Sequence, residues 1–306
     1  MKDLQDIAAI WRGETRRALR SGRVLVLLIL FLLFVGLALT VVGFVNHRLN
    51  QRLSQVGADL SQAQEQLAQG KRQFLSFFIT DDEAMLDSLA ALPLVLLVVF
   101  KLTLRFLPLF IALMGFDQLA GEVGPRSIRY LVVRVRRDDI ILGKFLSQST
   151  IFALLLTVCT VLMVLVARAL NADFAAPDVA LWTAKMLVSS FVLSLAYLSL
   201  TALCSALVRQ GPVGLVLNVI GLFVIWFIAL IGEAFRFPSE AATEGSLAML
   251  KTESHLAWLR YLSVWHFGQD LLHPHWSRFL TAAAMHVGFG LTFLGLAQLA
   301  LKRRDL

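Results

Sequence analysis

The chain has 306 residues, 58% of them hydrophobic and 16% charged, with a formal net charge of +7 and a mean hydropathy of +0.74. Soluble domains are about half apolar and about a quarter charged; here the apolar residues come in blocks, which argues against one large soluble core and for membrane spans. The positive charge does not point to a nucleic-acid partner, because the basic residues flank the hydrophobic blocks. Cys159 and Cys204 sit inside apolar blocks, so neither a disulfide framework nor a thiolate metal site follows.

Residues 1–23 are a basic tail with apolar positions at Leu4, Ile7, Ala8, Trp11, Ala18 and Leu19. They read as an amphipathic helix at the inner membrane interface, or as a topogenic tail with incidental helicity. The block at 24–45 is long enough to span and no small-residue cleavage site follows it, so it reads as a retained first helix. Residues 46–92 read as an extracytoplasmic helical hairpin. Leu49, Leu53, Val56, Leu60, Ala63, Leu67, Gly70, Phe74 and Phe77 recur at alternating spacings of four and three, a heptad seam. Thr80-Asp-Asp-Glu83 is a capping box that starts the return helix. The hairpin pairs with a second copy of the membrane subunit or an extracytoplasmic partner, or packs as a lid on its own protomer.

The second span is expected at 93–119. Apolar character starts near Ala84, too early for one crossing, so a bend at Pro93 or Pro108 is expected. Lys101 and Arg105 share one face of this helix. Ionisable groups near a span's centre cost about 2.5–3.5 kcal/mol each on insertion scales and need water, a partner or a headgroup. Either the two line a path through the membrane, a translocation path if the protein moves a solute, and hold an anionic group there, or they snorkel outward or pair with Glu83, Asp87 or Glu233.

Residues 120–144 form an Arg-studded connection. Glu122 ends the second helix, Gly124-Pro125 forces a turn, and Ile128, Leu131 and Val132 share one side of a short segment. Asp138 and Asp139 fit the N-terminal end of the next helix. Such a charged hairpin suits docking of a soluble partner, although any single arginine here is explained equally well as a topology signal. Further spans are expected at 145–170, 181–208, 213–232 and 279–301. The loop 234–277 is expected to hold short interfacial helices, with Trp258, Trp265 and Trp276 at the membrane boundary. His266, Asp270, His273 and His275 match no standard metal signature.

Lys and Arg counts orient the chain. The tail, the 120–144 connection, Arg209 and the terminal Lys302, Arg303 and Arg304 make one side richer in positive charge and shorter in loop sequence. Both termini are therefore expected in the cytoplasm.

The connection resembles the coupling segment of ABC-2-type permeases, the membrane subunits of ABC exporters. Ala120-Gly121-Glu122, Ser127-Ile128, Arg137 and Gly143-Lys144 match that segment in order; Arg134 stands where the family usually has proline. Tyr261-Leu262-Ser263, His266-Phe267 and Arg303-Arg304-Asp305-Leu306 extend the resemblance to the C-terminal end. The resemblance implies an all-α polytopic membrane protein with six spans, covering essentially the whole chain. It implies a permease subunit, not an enzyme, working as a dimer with itself or a paralogue over two copies of a separate ATPase. The phosphate-cradling Gly-x-x-x-x-Gly-Lys-Ser/Thr loop does not occur in the sequence, so ATP and Mg would sit on the partner and this chain needs no cofactor. Glu122, Arg126, Ser127, Arg129, Arg134, Arg136, Arg137 and Asp138 are the expected ATPase-coupling residues, transmitting closure of the ATPase pair to the second and third spans. The expected outcome is outward movement of a substrate across a bacterial inner membrane, whose periplasm would suit the long hairpin. The alternative is a membrane anchor or mechanical transmitter that drives an extracytoplasmic assembly without moving cargo.

Overall fold

A computed structural model describes residues 2–56, 69–76, 82–90, 92, 94–123, 132–133, 135–170, 177–234 and 257–304. Among these residues every regular element is helical. In chain order they are α1 (Lys2–Arg20), α2 (Arg23–Val56), α3 (Glu83–Ala90), α4 (Leu94–Gly115), α5 (Ala120–Val123), α6 (Arg137–Leu170), α7 (Pro177–Leu207), α8 (Gly211–Ala234) and α9 (Trp276–Lys302). Three short 3₁₀ turns, Ala257–Leu262, His266–Gly268 and Asp270–Leu272, lead into α9.

Among the described residues five stretches are long and apolar enough to cross a membrane: Leu96–Val123, Arg137–Leu165, Val179–Leu207, Gly211–Gly232 and Trp276–Lys302. A sixth is counted when α1 and the start of α2, bent by 62° from one another, are taken together. The bend falls at Ser21-Gly22. The Ser21 amide closes back on the Arg17 carbonyl at 2.9 Å, and Gly22 takes φ 70°, the left-handed conformation that ends a helix most cheaply at glycine. The protein is a polytopic, all-helical membrane protein.

α7 is the central helix, packed against α4, α6, α8 and α9. Ser189, Ser190, Ser194, Ser199, Thr201 and Ser205 are all buried along it. Small polar side chains let helices approach closely where lipid offers no hydrophobic drive, and several turn back onto helix carbonyls: Ser194 to Phe191 and Ser199 to Leu195. Ser205 does something further. Its Oγ accepts the backbone amides of Leu119 and Ala120, at 2.9 and 3.0 Å, where the second span breaks between α4 and α5. Amides exposed by a broken helix are costly in a bilayer unless a neighbour satisfies them. Pro108, by contrast, lies within α4.

The hairpin return packs on the other end of the bundle. Leu75, in a helical segment at 69–76, is fully buried and clusters with Met85, Leu86, Leu89, Leu97, Phe100, Met186 and Leu272. Lys71 donates to the carbonyls of Ala90 and Leu92 (the latter at 2.7 Å), and Arg72 pairs with Asp87. The seam positions Gly70 and Phe74 are exposed; at this end the buried face is the neighbouring one. The side chains of Leu49, Leu53, Val56, Leu60, Ala63, Leu67 and Phe77 lie outside the described residues. So does Thr80. The residue that caps α3 is Asp82, whose Oδ1 accepts the amides of Ala84 and Met85 at 3.1 and 3.3 Å. An Asx cap two residues beyond Thr80 meets the first free amides directly.

Candidate functional site

At the end of the bundle where α1 and the C-terminal turn of α9 lie, the two halves of the sequence motif meet. Lys144, near the start of α6, is 3% exposed, and its Nζ lies 2.7 Å from Glu122 Oε1 and 3.0 Å from Glu14 Oε1 of α1. Arg17 approaches Glu122 at 3.7 Å from the solvent side. Two carboxylates and two cations from three helices thus make a neutral clasp. A buried charge is tolerable only when paired in this way.

The packing of α1 explains the glycine beside Lys144, Gly143. A Cβ there would stand 2.8 Å from both Cβ and Cγ2 of Ile10 and 3.2 Å from the Ile7 carbonyl. This is where α1 crosses α6. The crossing continues through Trp11 Nε1, which donates to Thr150 Oγ1 at 3.0 Å, and the Thr15 and Ser147 hydroxyls, 3.0 Å apart. α1 therefore turns Ile7, Ile10, Trp11, Glu14 and Ala18 towards the bundle, while Leu4 and Leu19 stay exposed. Between α1, α4 and α6 opens a cavity of about 380 Å³ lined by Glu14, Arg17, Asp117, Gln118, Glu122 and Lys144.

Arg137 is committed to another contact. Its guanidinium donates to the carbonyls of Leu301, Lys302 and Arg304 at 2.9–3.0 Å. It thereby closes the C-terminus of α9, where unpaired carbonyls favour a cation. Asp138 pairs with Lys302 at 2.7 Å, and Arg304 donates to the Val208 carbonyl at 2.9 Å. Arg136 is exposed. Of the eight sequence-derived coupling residues, Arg126, Ser127, Arg129 and Arg134 lie outside the described residues. Glu14 and Arg17 were not among them. The available signal was a carboxylate within the otherwise apolar face Ile7, Ile10, Trp11 and Ala18 of an amphipathic helix.

At the opposite end, Lys101 and Arg105 border a small pocket of about 50 Å³. The Arg105 guanidinium stacks over the Trp265 ring at 4.4 Å. Asp87, one of the carboxylates considered for them, pairs with Arg72; the Glu233 side chain lies outside the described residues. Nearby, Asp82 Oδ2 lies 2.9 Å from Arg278 and 3.4 Å from His273 Nε2. Burial raises the Asp82 pKa, but the Met85 amide, His273 and Arg278 outweigh it and hold the carboxyl below its ordinary value. Burial of Lys71 lowers its pKa from the usual lysine range. His273 and His275 stack on each other at 5.1 Å. Among the described residues no group of three His, Cys, Asp or Glu side chains is placed to hold a metal ion.

A sequence model of the ABC-2 family transporter proteins matches residues 8–306. The chain belongs to that family. A comparison with curated proteins returns no match. The family match takes in both ends of the bundle, the Lys144 clasp and the Arg105 pocket alike, so both belong to a permease, the membrane subunit of an ABC transporter. ABC-2 permeases work with an ABC ATPase.

Proposed function

We propose that this permease couples ATP hydrolysis on a separate ATPase subunit, present in two copies, to outward movement of a substrate, with a second permease copy or paralogue completing the complex. Both termini and residues 120–144 face the cytoplasm, and the segment around Arg126, Ser127, Arg129, Arg134 and Arg136 receives the motor. The observation that carries this reading is the clasp. Lys144 ties the end of the second span to the start of the third and to α1, so a push on the intervening segment reaches three helices as one body. Glu122 belongs to that body, Arg137 and Asp138 join it to the end of α9, and Arg136 stands exposed beside it. The translocation path includes Lys101 and Arg105, one turn apart on the second span. ATP and Mg stay with the motor.

The test is purification of the complex in detergent, with mass identification of its subunits. Arg126, Arg129 and Arg134 replaced together by alanine should release the ATPase, or lower its permease-dependent hydrolysis about ten-fold, while the permease still folds. An intact complex with unchanged hydrolysis overturns the coupling role.

The length of α2 favours a second reading. Its 34 residues rise roughly 50 Å at 1.5 Å per residue, well beyond a bilayer core of about 30 Å. A helix continuing that far out is suited to transmitting force to an extracytoplasmic partner at residues 46–92.

A further inference from the structure

We propose that the outward stripe of α1 formed by Arg12, Arg16 and Arg20 holds anionic phospholipid headgroups of the leaflet from which α2 enters the membrane. The sequence pattern offers the apolar face of α1 to the bilayer. The structure uses that face elsewhere: Ile10 packs on Gly143, Trp11 donates to Thr150 and Glu14 pairs with Lys144, all on α6. Contact with lipid therefore falls to the opposite side of the helix.

Two observations carry it. The first is charge. At about 100° per residue, Arg12, Arg16 and Arg20 fall within one arc of about 80°, and no carboxylate of α1 falls in that arc. All three are exposed. Among the described residues none of them makes a side-chain hydrogen bond or an ion pair, in contrast with Arg17, which reaches Glu122. Like charges four residues apart repel one another, and an anionic surface relieves that repulsion. Leu4 and Leu19 border the stripe and are exposed as well. Arginine for phosphate and leucine for the acyl boundary is the pattern of a helix lying on a membrane. An acidic protein face would answer only the arginines.

The second is place. α1 departs from the start of α2 by 62°, so with α2 along the membrane normal it lies closer to the membrane plane than to the normal. The run from Arg12 to Arg20 spans about 12 Å of helix and climbs about 6 Å at that angle. A headgroup layer is roughly 5–8 Å deep on each side of the hydrocarbon core. Leu25, Val26, Ile29 and Leu30 are exposed on the first turns of α2, where the hydrocarbon begins. Arg20 thus stands at headgroup level, and the other two guanidiniums stay within the same layer. The opposite face of α1 carries Glu14 to Lys144. Lipid and clasp therefore grip one helix from two sides, and the charge of the leaflet bears on how firmly α1 is held.

The full permease is placed in phosphatidylcholine nanodiscs with a fluorophore on Ala9→Cys, a position exposed within the stripe. Cys159 and Cys204 are buried and stay unlabelled. Trace lipid bearing a nitroxide near its headgroup reports which lipid collects there. Nitroxide-phosphatidylglycerol should quench as though enriched about ten-fold over nitroxide-phosphatidylcholine at equal amount. Arg16→Gln should lower that enrichment about five-fold, and Arg12→Gln/Arg16→Gln/Arg20→Gln should abolish it. Salt at about 1 M, which screens charges beyond about 3 Å, should abolish it with all three arginines in place. Equal quenching by the two lipids around the native stripe, or an enrichment indifferent to salt and to the triple variant, overturns the proposal. So does a label that neither lipid quenches; its shielding by the ATPase subunit would then give the stripe to the motor. The measurement needs neither cargo nor ATP, so a failure here leaves the coupling experiment untouched, and the reverse holds too.

Discussion

Lys144 shows how far one side chain can organise a membrane protein. Its 3% exposure and two carboxylate neighbours mean that removing it strands buried negative charge, whereas Arg17, 74% exposed, works through solvent. Lys144→Met should therefore cost about 3–5 kcal/mol, and Arg17→Ala less than about 1 kcal/mol. Thermal unfolding in detergent distinguishes them; equal losses would mean that Arg17 carries the neutralising charge. The sequence displays Glu122 and Lys144 as halves of a motif 22 positions apart, but not their direct pairing, because hydropathy and motif spacing are read along the chain and the pairing runs across it. Glu14, 130 positions from Lys144, is harder still to see. Arg137 is visible as a positive charge on the topogenic side, while its hold on three carbonyls of α9 depends on a helix end that only tertiary packing brings near.

At the scale of the element, most of what is legible comes from composition over twenty or so residues. Apolar blocks mark the spans because each must satisfy its own backbone in lipid. Breaks and crossings are set by neighbours instead. The interruption after Gly115 is held by Ser205 on another helix, and nothing local to residues 116–119 announces it. The Gly143 crossing is such a case. Gly143→Ala forces α1 away from α6, since Ile10 stands within 2.8 Å of the new atom, and overpacking of this kind costs roughly 1–3 kcal/mol. Hydrogen exchange should rise across α1 in that variant. Gly13→Ala, where nothing lies within 4 Å, is the control and should leave exchange in α1 unchanged or slower, alanine being the better helix former. Faster exchange in both would mean that α1 is held by propensity and not by the crossing. The heptad seam teaches the opposite lesson. A regular spacing names a face but not its partner, and Phe74 stays exposed while Leu75 is buried.

For the whole molecule, the proposed orientation makes a direct prediction. Arg72 and Arg136 are exposed at opposite ends of the bundle, and Cys159 and Cys204 are buried, so the native thiols react slowly. On intact cells a membrane-impermeant maleimide should label Arg72→Cys and spare Arg136→Cys until the membrane is opened; the reverse pattern would invert the proposed topology. The Arg105 pocket belongs to this scale as well. The adjacency of Lys101 and Arg105 is plain in the sequence, but the tryptophan beneath one of them comes from a distant loop. Finally, the guanidinium of Arg137 finds its first carbonyl 164 positions further on. At ribosomal rates of about 5–20 residues per second, roughly 10–30 s pass between making the donor and making its acceptors. During that interval the start of the third span can be fastened to α1 and α5 through Lys144 but not to α9. A nascent chain stalled before the end of α9 would thus carry every earlier span and still lack the fastening that joins α6 to α9, a defect for proofreading proteases to recognise.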